Sequence, residues 1–146
     1  RGLELEAAAD LGRVALDASY TYLRTEVLDP GLATDAGFVE GETLLRRPRN
    51  AGTFTGRYRL ERGSVGMTVH AVGRREDLDF AAGFPAPRIS LSGYTTLDLT
   101  AEHALPGSDV TVLLQVDNVL DARYQSIAGF PGLGRVARLG ARVRID

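Results

Sequence analysis

The chain has 146 residues, enough for one domain or for part of a larger one. Its 44% hydrophobic and 25% charged residues exclude a disordered or fibrous chain, and a net charge of −2 offers no basic face for nucleic acid. The absence of Cys excludes disulfides and thiolate chemistry, and no apolar run approaches the ~20 residues of a membrane-spanning helix.

Period-two alternation dominates. Leu3, Leu5, Ala7 and Ala9 share one face of the opening segment, with Glu4, Glu6 and Ala8 opposite, up to a predicted turn at Asp10-Leu11-Gly12. Val14, Leu16, Ala18, Tyr20 and Tyr22 then alternate with Ala15, Asp17, Ser19 and Thr21. From Val27 to Asn50 the alternation stops, and Asp29-Pro30-Gly31, Asp35, Gly37, Gly41 and Arg46-Arg47-Pro48-Arg49 read as a long loop. Strand pattern resumes at Ala51, with Phe54, Tyr58 and Leu60 against Thr53, Thr55, Arg57 and Arg59. After Glu61-Arg62-Gly63, Val65, Met67, Val69 and Ala71 alternate with Ser64, Gly66, Thr68 and His70. Arg74 to Arg88 reads as irregular. Ile89 restarts a strand carrying Leu91, Leu97, Leu99 and Ala101 on one face, and after Leu105-Pro106-Gly107-Ser108 comes Val110, Val112, Leu114 and Val116. A third long segment, Asn118 to Gly134, precedes a final strand with Ala137, Leu139, Ala141, Val143 and Ile145 on one side and Arg138, Arg142 and Arg144 on the other.

This predicts an all-β antiparallel meander of about seven strands and no helix. Every second connection is long, which is the asymmetry of a transmembrane barrel with short turns at one rim and long loops at the other. Single-chain bacterial barrels close with an even number of strands, and a bare edge is not tolerated in lipid. The chain is therefore expected to be part of a larger transmembrane β-barrel. It opens on Arg1 without Met, so a targeting segment is expected to have been removed, or the chain to be an internal piece.

Asn118-Val-Leu-Asp121 followed by Tyr124, with Pro131, Gly134-Arg135 and the closing Gly-x-Arg-Val-Arg strand (140–144), resembles the element near the end of TonB-dependent outer-membrane receptors. Gly2-Leu-Glu-Leu-Glu6 and Ser19-Tyr-Thr-Tyr22 resemble strands of the same barrels, and Gln125-Ser-Ile-Ala-Gly-Phe-Pro131 leans towards the cobalamin receptors. The resemblance implies that residues 1–146 form the C-terminal part of a barrel of about 22 strands, without its plug domain. It implies uptake of an iron–siderophore complex or a vitamin B12-like ligand, with no catalytic residue and no cofactor. The implied partners are the missing plug and remaining strands, the TonB complex through the absent N-terminal region, the barrel-assembly machinery and outer-membrane lipid. The implied location is the cell outer membrane, with the C-terminus periplasmic. The family ends on an aromatic where Ile145 stands here.

Asn118, Asp121, Tyr124, Gly134 and Arg135 are expected to act structurally. The loop aromatics Phe38, Phe80, Phe84, Tyr124 and Phe130 are candidate ligand contacts, because rigid scaffolds place recognition on their loops. Arg138, Arg142 and Arg144 would cost about 2–4 kcal/mol each at the midplane if they faced lipid. They are expected to point into the lumen or sit near the rim, pairing with carboxylates of the plug or of neighbouring strands such as Asp98 and Asp117. Tyr20 and Tyr22 at one strand end and Tyr58 at the other suit an interfacial girdle. Asp77 and Asp79 beside Arg74 and Arg75 read as a solvated loop cluster. His70 and His103, the only histidines, lack a ligand cluster, and no metal site is expected. A porin-like barrel and a soluble ligand-binding β-barrel are the alternative readings.

Overall fold

In the computed structural model, which describes residues 1–32 and 37–145, seven strands form one antiparallel sheet. Asp35 of the first predicted loop and the terminal Asp146 lie outside the described residues. The sheet strands are β1 (Gly2–Leu11), β2 (Val14–Leu23), β3 (Asn50–Leu60), β4 (Gly63–Val72), β7 (Tyr94–Ala104), β8 (Val110–Asp117) and β11 (Val136–Val143). They lie in the order β1-β2-β3-β4-β7-β8-β11, so each strand pairs with its neighbour in this list, and the sheet is a meander. Two short ribbons stand apart from it, β5 (Arg75–Leu78) with β6 (Arg88–Leu91), and β9 (Gln125–Ile127) with β10 (Phe130–Pro131).

The register explains why alternation is so clean. Directly paired residues share a face, and the pairs Ala9–Leu16, Gly56–Met67, Met67–Leu99, Leu99–Val116 and Val116–Ala137 continue one apolar face across the strands. The opposite face is polar and is tied by Thr55–Thr68 and Thr53–His70 side-chain contacts, each at 3.3 Å, and by Ser64 donating to Glu102 at 3.0 Å. At its short-turn end, Arg59 binds the Asp10 carboxylate at 2.8 Å and the Gly12 carbonyl at 3.1 Å. Arg138 pairs with Asp117, as alternation predicts. Asp98 does not pair with the β11 arginines. It accepts the Asn118 N–H at 2.8 Å and faces His70 at 3.8 Å.

Connections β1–β2 (12–13), β3–β4 (61–62) and β7–β8 (105–109) are short and lie at one rim, while 24–49, 73–93 and 118–135 all gather at the other. Four expectations are corrected here. Asp10 and Leu11 belong to β1, because the turn needs only Gly12, at φ +72°, and Arg13. The strand expected from Ile89 to Ala101 breaks at Ser92-Gly93 into β6 and β7, and residues 74–88 are partly ordered as a hairpin ending in a 3₁₀ turn at Phe80–Ala82. The segment 118–134 likewise contains the β9–β10 ribbon.

The break has a steric cause. A Cβ on Gly73 would lie 2.9 Å from the Asn50 carbonyl oxygen, and one on Gly93 would lie 2.8 Å from that of Val72. Only glycine lets these backbones meet at that point, and β4 and β7 can then turn together into β5 and β6.

Among the described residues the buried apolar side chains are Val27, Leu78, Ala86 and Leu91, all in the long-loop layer. The sheet has two accessible faces and contributes no buried apolar cluster of its own. Tyr20 and Tyr22 lie at the long-loop end of β2 and Tyr58 at the short-turn end of β3.

If the apolar face meets lipid, its centre will not tolerate charge. Met67→Arg should destabilise the complete barrel in lipid vesicles by about 2–4 kcal/mol, whereas Thr68→Arg on the polar face should cost far less. Equal costs in denaturant-unfolding titrations would show that neither face is lipid-covered.

Candidate functional site

The three long connections converge on one carboxylate. Asp77 projects from β5 and is fully buried. Its Oδ1 accepts from Arg46 Nε at 2.8 Å and from its neighbour Leu78 N–H at 2.9 Å, and its Oδ2 accepts from Ala128 N–H at 2.8 Å. One side chain therefore joins the first long loop, the β5–β6 hairpin and the third long loop. Burial alone would push its carboxyl up, but the Ala128 N–H, the Arg46 guanidinium and the Leu78 N–H outweigh it and hold it below the usual carboxylate range. The expectation of a solvated cluster is overturned for Asp77 and for Arg75, which is also buried. Arg74 stays exposed, and Asp79 accepts the Ala81 N–H at 3.0 Å to cap the 3₁₀ turn.

Arg75 makes the second set of ties. Its Nε donates to the Ser126 carbonyl at 3.2 Å, its Nη2 to the Gln125 carbonyl, and its guanidinium lies 5.4 Å from the centre of the Tyr94 ring. Tyr94 in turn stacks on Tyr124, with ring centroids 4.0 Å apart and planes at 18°. Arg88 reaches the first loop, bonding the Thr43 carbonyl and, at 3.1 Å, its hydroxyl. The backbone adds Arg46 N–H to the Glu76 carbonyl at 2.7 Å.

The residues of the Asn118 element come together in the third loop. Asn118 is buried and sits in the left-handed region at φ +48°, where Asn is tolerated better than most residues. Its Nδ2 donates to the carbonyls of Ala122 and Leu133, both at 3.0 Å, and its Oδ1 accepts the Ala122 N–H at 2.9 Å. Asp121, at φ +51°, accepts the Arg135 N–H at 3.0 Å, and a Cβ on Gly134 would come within 3.1 Å of that carboxylate. These bonds fasten the start of the loop to its end.

The loop aromatics do not form one site. Phe38, Phe80 and Phe84 surround a depression of about 360 Å³ with Leu45, Leu78 and Ala86. Tyr124 borders a separate groove with Ser92 and Asp121, and Phe130 is exposed in β10 and lines neither. No group of three or more His, Cys, Asp or Glu side chains suited to a metal occurs among the described residues. Sequence reasoning missed Arg46, Asp77 and Tyr94. No pattern in the sequence marks Asp77, since β5 has only four residues and both Asp77 and its neighbour Leu78 are buried.

The family model for the TonB-dependent receptor-like β-barrel matches residues 1–119. The chain belongs to the TonB-dependent receptor family. The metal-pseudopaline receptor CntO of Pseudomonas aeruginosa is 30% identical over 130 residues, covering 85% of this chain and 17% of CntO. The vitamin B12 transporter BtuB of Vibrio cholerae is 29% identical over 101 residues, covering 69% of this chain and 16% of BtuB. Both relatives are transport receptors, not enzymes, and the chain spans less than a fifth of either. The fold matches solved receptors. FpvA of P. aeruginosa bound to an iron–pyoverdine superposes with a TM-score of 0.74 at 18% identity over 97% of this chain and 19% of FpvA. The ferric-catecholate import receptor Fiu of E. coli K12 gives 0.70 at 22% identity over 96% of this chain and 20% of Fiu. The seven-stranded sheet is thus part of a TonB-dependent receptor barrel.

Two outcomes follow from the loop ties. A group whose folded pKa is depressed stabilises above its unfolded value, about 3.9 for Asp, and loses that contribution as pH falls through the lower folded value. Protease resistance of the long loops in the complete receptor should therefore hold from neutral pH down to about pH 4 and fall below it, while Asp77→Asn should already lack it at pH 7. Asn118→Ala should cost about 1–3 kcal/mol and open the 118–135 loop to proteolysis; unchanged cleavage would show that the three Asn118 bonds do not hold it.

Proposed function

We propose that this chain is the C-terminal sector of an outer-membrane receptor barrel that takes up a scarce metal chelate or a cobalamin-like compound. The observation that carries the reading is the continuous apolar face across seven strands, with every long connection at one rim, in a chain of this family. The names of the relatives support the ligand classes, since CntO is a metal-pseudopaline receptor and BtuB a vitamin B12 transporter.

In this reading the long loops face outward, the short turns and the end of β11 face the periplasm, and outer-membrane lipid covers the apolar face. A plug domain and the remaining strands complete the receptor, the TonB complex supplies energy through an N-terminal region, and the barrel-assembly machinery inserts the whole. Phe38, Phe80 and Phe84 offer an apolar contact for the ligand at the mouth, with Tyr124 and Phe130 as further loop contacts. The chain carries no chemistry of an enzyme in this role.

The test is transport. Deleting the gene that encodes this chain should abolish uptake of a radiolabelled iron chelate or of radiolabelled cobalamin, and the same uptake should vanish in cells lacking TonB. Uptake that survives either deletion for every ligand tried would sink the reading, as would recovery of the protein outside the outer-membrane fraction.

A further inference from the structure

The basic side chains of this chain are all arginine, and they are not distributed evenly. Several arginines meet carboxylates: Arg59 with Asp10 at the short-turn end, Arg138 with Asp117, and, in the long-loop layer, Arg46 with Asp77 and Arg88 with Glu42 and Glu76. Beside those pairs the balance is different. Arg24, Arg47, Arg49, Arg74 and Arg75 line one depression of about 330 Å³ in which Glu76 is the sole carboxylate. None of the five makes an ion pair among the described residues. Arg75 uses Nε and Nη2 on backbone carbonyls, and its Nη1 has no hydrogen-bond partner among those residues.

The ladder puts two of these arginines, Arg49 and Arg74, at the long-loop end of the polar face. Leu23 N–H bonds the Arg49 carbonyl and Gly73 N–H bonds the Asn50 carbonyl, both at 2.8 Å, so pairing of β2, β3 and β4 continues past the strand ends. Arg49 keeps the parity of Ala51, Thr53 and Thr55, and Arg74 that of Val72 and His70, which are the polar-face positions. Arg49 and Arg74 both line the depression just past the Ala51–Val72 pair where the β3–β4 register ends. Like charges held close together repel, and a guanidinium's planar fork matches a carboxylate or other oxyanion two bonds at a time. Four exposed guanidinium groups and one buried one around a single carboxylate leave an excess of positive charge in this depression.

We infer that this arginine-lined mouth selects an anionic metal chelate, one whose ligand presents carboxylate or comparable oxyanion groups outward, over a neutral chelate or a cobalamin-like compound. The inference rests on the uptake reading and names the substrate class for it.

The test uses the complete receptor, with its plug, purified in detergent. Isothermal titration calorimetry would measure binding of the ferric complex of citrate, a neutral ferric trihydroxamate and cyanocobalamin. The paired variant Arg49→Gln/Arg74→Gln would be compared with the charge-preserving Arg49→Lys/Arg74→Lys, each first checked for a folded barrel by heat-dependent mobility on gels. The expected result is binding of the ferric citrate complex that weakens with added salt. The glutamine pair should raise its Kd by roughly tenfold or more, and the lysine pair by less. Preference for a neutral ligand, or an unchanged Kd in the glutamine pair, overturns the inference and leaves the uptake reading standing; the second result is also what pairing of these arginines with plug carboxylates would give. Failure to bind or import any chelate or cobalamin overturns the uptake reading, and this inference with it.

Discussion

A single buried carboxylate decides how the long loops stand. Asp77 has three donors from three separate stretches of chain, Arg46, Leu78 and Ala128, and no exposure to water. A buried charge is tolerated only when it is hydrogen-bonded and paired, so each donor is needed by the carboxylate as much as it is held by it. The loops are long enough to wander independently, and this shared acceptor removes that freedom. Arg75 repeats the device with the sign reversed, as a buried cation that binds the carbonyls of Gln125 and Ser126. The mouth is thus organised by two opposite charges on one short strand, two residues apart.

That strand can occupy its place because the sheet below allows it to leave. Gly73 and Gly93 sit where the long-loop ends of β3, β4 and β7 approach closely, and their missing side chains let the β4–β7 ribbon turn into the β5–β6 hairpin. The buried apolar groups Leu78, Ala86 and Leu91 then pack in the loop layer, not in the sheet. A barrel wall has solvent or lipid on one face and lumen on the other, so its strands are held by ladder bonds and same-face pairs. Packing of the ordinary globular kind is left to the loops, and it is there that Asp77 is found.

This division explains what was legible in the sequence. The wall strands carry strict alternation over eight to eleven residues, because each position meets one of two distinct media. The loop order was readable for the same reason, since loss of alternation marks the ends. The Asn118 element spoke through residue types that left-handed turns favour, and both Asn118 and Asp121 adopt such turns. The hairpin β5–β6 was hidden because four residues give too few periods. Arg75 and Asp77 were taken for solvated charges because charged side chains almost always are; their burial depends on partners some 30 and 50 residues away, which no local pattern records.

Asp77 is the acid-sensitive part of the rim, since protonation removes the anionic acceptor that joins the loops. Beside it, Arg24, Arg47, Arg49, Arg74 and Arg75 stand around one carboxylate, Glu76, and make no ion pair among the described residues. The frame that holds the guanidinium groups close against their mutual repulsion is the Asp77 junction and the continued β2–β3–β4 ladder.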